Sequence, residues 1–148
     1  MTDARILPDL QCSLMCEDVR QEANGNIFLI GVLNQIVVPQ VPVAANKLAC
    51  FNRWTAGVGE FNEVVKLIAP DQSTVVRENA LAFLMENPGV VRTNVHMFQG
   101  VEFTEAGMYY VEVTIDDVLK LRYPLPLVVM PQNQNGSGDS DDNASEQK

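Results

Sequence analysis

The chain has 148 residues, of which 47% are hydrophobic and 20% charged, and carries a net charge of −9 at pH 7. That is enough chain for one domain with a core of its own. The acidic balance excludes surfaces built for nucleic-acid backbones or anionic membranes, which demand the opposite sign, and three cysteines exclude a dense disulfide framework.

Met1 to Pro8 lacks an apolar run after a basic start, so no secretion signal is expected and the cytoplasm is the expected location. In that reducing setting Cys12, Cys16 and Cys50 are expected to be thiols. Leu10 to Glu17 alternates as a strand, with Leu10, Cys12, Leu14 and Cys16 on one face. Asn24-Gly25 is a strong hairpin signal because both residues tolerate positive φ. The next strand, Ile27 to Leu33, is apolar throughout. One of its faces (Phe28, Ile30, Val32 or Ile27, Leu29, Leu33) is expected to fill the core. The other should meet a partner or a covering segment of the same chain. The extended connection Val37 to Asn46, with Pro39 and Pro42, is the intrachain candidate for that cover.

Lys47 to Ala56 reads as a third strand and carries the only tryptophan, Trp54. Phe61 to Ala69 is a fourth, closed by the turn Pro70 to Ser73. Thr74 to Met85 reads as one bent strand or two, Asn87-Pro88-Gly89 as a turn, and Val90 to Val101 as a further strand. Gly107-Met-Tyr109, followed by strict alternation to Ile115, is the signature of a tyrosine corner leading into a central strand. Asp116-Asp117 turn the chain into Val118 to Met130, where Leu119, Leu121, Tyr123, Leu125, Leu127 and Val129 share the expected inner face. Pro124 and Pro126 lie two apart and remove N–H groups from one edge, so that edge should be a sheet margin or a break. Pro131 to Lys148 has no apolar anchor and is expected to be disordered.

The pattern predicts an all-β fold, with a domain at 1–130 and a polar tail at 131–148. The domain is an antiparallel, immunoglobulin-like β-sandwich of eight or nine strands; a closed barrel is the alternative. Two segments support this by resemblance. Cys16-Glu-Asp-Val-Arg20-Gln-Glu22 with Asn24-Gly-Asn-Ile-Phe-Leu-Ile-Gly31-Val is one; Gly107-x-Tyr109 with Leu121-Arg-Tyr-Pro124-Leu is the other. Together they resemble a family of small bacterial proteins of unknown function with an immunoglobulin-like sandwich. The likeness spans roughly residues 8 to 130 and departs at Asn26, where a lysine is expected. It implies the fold and brings no activity with it.

Few residues suggest chemistry. Cys12 and Cys16 stand about 13 Å apart along a strand, whereas zinc needs its sulfurs about 2.3 Å from the metal, so neither metal nor cofactor is expected. His96 has no nucleophile elbow to serve, since Gly-x-Ser-x-Gly is missing, and no phosphate loop is present. Glu17, Asp18, Arg20 and Glu22 form the densest charge cluster before the tail. Glu17, Asp18 and Arg20 are therefore candidate binding residues, set against the reading that Arg20 only bridges a carboxylate and fixes the hairpin. Trp54 is a candidate carbohydrate platform, set against a core tryptophan. Gly25, Gly107, Tyr109, Pro124 and Pro126 are expected to be structural. The expected function is a non-catalytic protein-interaction module. Its partner is a protein, with a second copy of the chain among the candidates. A small-ligand or carbohydrate-binding module is the alternative.

Overall fold

The computed structural model describes residues 4–131. Among the described residues nine strands make two sheets packed face to face. The four-stranded sheet has the order β2-β1-β4-β7, from β1 (Asp9–Gln21), β2 (Ile27–Val32), β4 (Val43–Thr55) and β7 (Arg92–Phe103). The five-stranded sheet has the order β3-β9-β8-β5-β6. Its strands are β3 (Ile36–Val38), β5 (Gly59–Ile68), β6 (Val75–Met85), β8 (Gly107–Ile115) and β9 (Val118–Val129). Every pairing is antiparallel except β3 with β9. Among the described residues no helix is long and apolar enough to cross a membrane.

The turns follow from their residues. Gly25 has φ of 95°, and its N–H donates to the Glu22 carbonyl at 2.9 Å, closing the β1–β2 hairpin. Asp116 and Asp117 have φ of 47° and 69°, the two left-handed residues of a tight hairpin turn. In the β5–β6 turn Asp71 accepts the N–H groups of Ser73 and Thr74, each at 2.8 Å, and also the Thr74 hydroxyl. The hydroxyl and those N–H groups lower its carboxyl to about 2.

Alternation then sorts the side chains. Tyr109, Val111, Val113 and Ile115 of β8 are all buried, as are Leu125 and Leu127 of β9. The Tyr109 hydroxyl donates to the Glu105 carbonyl at 2.6 Å, which is the tyrosine corner expected from the sequence. Its ring meets Phe103 edge-on, 5.1 Å between centroids. Gly107 is required at this corner. Its φ is 143°, and a Cβ there would stand 3.0 Å from the Pro70 ring.

Three expectations need correction. First, Val37 to Asn46 is not a covering segment: it holds most of β3 and the start of β4, paired with β9 and β7. Second, neither face of β2 fills the core. Ile27 and Leu29 are half-buried and Phe28, Ile30 and Val32 are exposed, because β2 is the margin of its sheet and pairs only with β1. Third, Leu119 and Leu121 are 52% and 37% exposed. A register shift between Val113 and Thr114 disrupts the start of β9 against β8; Tyr123 packs against the core and full burial begins at Leu125. Of the two readings of Thr74 to Met85, the single strand is the one formed, as β6.

The proline expectation fits the topology. β3 joins β9 only at Leu127 to Val129, immediately after Pro126. From Val118 to Pro126 the edge of β9 away from β8 has no neighbouring strand among the described residues. Apart from Pro131 itself, the expected tail lies outside the described residues.

Candidate functional site

Three places concentrate polar or unpartnered groups. The first is the corner formed by the β1–β2 hairpin. Asp18 accepts from Arg20 Nε at 2.7 Å and lies 3.2 Å from Lys47 Nζ on β4. The hydrogen bonds from Arg20 and Lys47 lower its carboxyl to about 2. Glu17 lies against the neighbouring strand instead: Gly31 has φ of 66°, and a Cβ there would come within 2.6 Å of Glu17 Oε1. Asp18, Arg20 and Lys47 are thus engaged with one another, tying the hairpin to β4.

The second place is inside the sandwich and includes His96, for which the sequence suggested no chemical role. Glu63 of β5 is fully buried. Its Oε1 accepts Nδ2 of Asn94 at 2.6 Å, and its Oε2 accepts Nδ2 of Asn52. His96 Nε2 lies 3.3 Å from the same Oε2, too poorly aligned for a full hydrogen bond. On its other side His96 Nδ1 meets Asn79 Nδ2 at 3.0 Å. With Asn79 donating, the neutral ring carries its proton on Nε2, facing Glu63. Asn52, Asn94 and His96 belong to the four-stranded sheet, Glu63 and Asn79 to the other. The cluster therefore joins the two sheets through polar contacts in an otherwise apolar interior.

A chain of weaker contacts extends it. Asn52 Oδ1 accepts the Cys50 thiol at 3.5 Å, Cys50 lies 3.6 Å from Ser13 Oγ, and Ser13 bonds the Tyr123 hydroxyl at 2.9 Å. Burial pushes Cys50 up to about 12 and raises Tyr123 well above the ordinary phenol range. Such a thiol is a poor nucleophile. The three cysteines are unbridged; Cys16 and Cys50 are buried and Cys12 is half-buried. One signal for this cluster was available in the sequence. Glu63 falls on the same alternation as Phe61, Val65 and Leu67, and His96 on that of Asn94 and Phe98.

Trp54 also requires a correction. It is fully buried, stacked on Phe83 with centroids 6.1 Å apart. It is a core tryptophan and offers no face to a sugar.

The third place is a cleft of about 750 Å³ at one end of the sandwich, between Arg5, the β5–β6 pair and the start of β7. The Arg5 guanidinium lies 4.8 Å from the centroid of Phe61 and is paired with Asp116. Desolvation pushes the Asp116 carboxyl up, but the Asn62 N–H and the Arg5 guanidinium together outweigh it and leave it lowered. Arg92 faces the same cleft, its Nε 3.4 Å from Asn94 Oδ1.

Over residues 11–128 the sequence matches a family described as a family of unknown function, DUF6941. The chain belongs to DUF6941. No curated protein matches it. The matched span agrees with the resemblance seen in the hairpin and corner motifs, and it contains every residue of the buried DUF6941 cluster from Ser13 to Tyr123. Arg92 also lies within the DUF6941 match, whereas Arg5 precedes it.

Proposed function

We propose that this DUF6941 protein is a non-catalytic, cytosolic protein-interaction module whose contact surface is centred on β2. The observation that carries the reading is the exposure of Phe28, Ile30 and Val32 at 50%, 40% and 48% on a strand with a free edge. Single exposed apolar side chains are ordinary, but three in a row on a margin strand form the kind of patch that marks association. The titratable core groups do not favour an enzyme. Glu63 and His96 are fully buried, Glu63 accepting the amides of Asn52 and Asn94 and His96 meeting that of Asn79. The carbohydrate alternative loses its platform with Trp54 in the core.

The test is Ile30→Asp in the full chain. Because Ile30 makes no core contact, the variant should keep the wild-type thermal midpoint. It should lose self-association in sedimentation, or lose the proteins that a tagged wild type retains from its native cell. A wild type that stays monomeric and retains the same proteins as the variant defeats the proposal.

A further inference from the structure

The cleft beside Arg92 is separate from the β2 surface, and its chemistry is specific. We infer that it binds a small monocarboxylate with a flat apolar body. Its volume of about 750 Å³ falls within the range of small-molecule sites, about 300–1,000 Å³. The apolar contribution comes from Leu84, which is 45% exposed, over a floor to which the buried Phe61 and Phe83 contribute.

The cleft's charges set the ligand class. Arg5 is neutralised by Asp116, with which it forms an ion pair. Arg92 has no carboxylate partner among the described residues. Its Nε is held by Asn94, which is 2% exposed and is itself fixed by Glu63. That contact uses the inner N–H of the guanidinium and leaves the two terminal NH₂ groups without a partner among the described residues. Those two groups form the fork that matches the two oxygens of a carboxylate. The buried cluster thus orients the one unpaired cation of the cleft. Glu60 also lines the cleft. With Asp116 paired to Arg5, it is the Glu60 charge that repels a ligand anion, and it repels a phosphate dianion more than a single negative charge.

The experiment is a titration of the full chain with 1-naphthoate, followed by ¹H–¹⁵N spectra that include arginine Nε–H signals. Saturable shifts are expected at Arg92 Nε–H and at the Phe83 and Leu84 amides. The neutral 1-naphthamide should bind about tenfold more weakly, the loss of one charge-assisted hydrogen-bond pair. Arg92→Gln should reduce naphthoate affinity by a similar factor with an unchanged thermal midpoint, and Arg92→Lys should recover only part of it. Absence of saturable shifts, equal affinity for naphthoate and naphthamide, or unchanged affinity in Arg92→Gln each overturns the inference. The comparison of the two ligands on wild type holds even if a variant fails to fold.

Discussion

Asn94 Nδ2 lies 2.6 Å from Glu63 Oε1, and that bond crosses the interior from one sheet to the other. Both carboxyl oxygens accept amide donors there, so the site is built for a group that only accepts. Glu63→Gln keeps the shape and replaces one acceptor by an NH₂. That NH₂ must face Asn52 or Asn94, leaving two buried donors opposed. The expected loss is about 1–3 kcal/mol in urea unfolding, the cost of an unsatisfied buried polar group. A neutral Glu63→Gln would mean that the amides reorient freely and that the cluster does not hold the sheets in register.

Tyr109→Phe isolates one hydrogen bond. The ring stays packed against Phe103, and only the 2.6 Å bond to the Glu105 carbonyl is lost. The expected cost is about 1 kcal/mol, with the slope of the unfolding transition unchanged. No effect would show that the corner is held by Gly107 and ring packing alone.

Local rules made most of the fold legible. Asn24-Gly25, Asp116-Asp117 and Gly107-x-Tyr109 each act within a few residues, and each turn or corner is present. What alternation does not encode is which strand lies at a margin. Ile27 to Val32 is as apolar as a central strand, yet its position is decided by residues far away that pair β1 with β4. Likewise Leu119 and Leu121 alternate correctly but lie where β9 meets β8 across a register shift. The buried cluster was hidden for a similar reason. Asn52, Glu63, Asn79, Asn94 and His96 come from four strands, and only the packing of the sheets brings them together. The hairpin charges were legible because Asp18 and Arg20 are two residues apart on one strand.

Asp18 sets an acid limb. Its folded carboxyl is held at about 2 by Arg20 and Lys47, below the usual carboxylate value of about 3.9. A depressed folded value stabilises the fold fully above the unfolded value and is lost as pH falls through the folded one. The wild type should therefore lose more stability than Asp18→Asn as the pH falls from about 4 to about 2, and the two should run parallel above that window. Thermal midpoints across the range give the comparison; parallel curves throughout would show that the ion pairs are too screened to count.

Trp54 reports on the core without substitution. It is the only tryptophan and is fully buried, and its indole N–H has no acceptor among the described residues. Its emission should be blue-shifted and insensitive to iodide until the protein unfolds. A red-shifted, quenchable signal in the native protein would place the ring at the surface and restore the stacking platform.

Pro124 and Pro126 protect an edge. β9 has no neighbour on one side from Val118 to Pro126, and exposed Leu119 and Leu121 lie along that stretch. An open, apolar edge is a template for pairing with another chain unless its donors are removed or charged. Proline removes them, and two prolines two residues apart remove two donors from the same side. Replacing both with valine restores the N–H groups and raises β-propensity without adding charge. Pro124→Val/Pro126→Val should keep the native near-ultraviolet spectrum and show concentration-dependent association in light scattering. The association should weaken when Leu121→Lys is added to the same edge. A double variant that scatters like wild type at every concentration would mean that the edge is protected by its twist or by its neighbours, and that the prolines serve only the local path of β9.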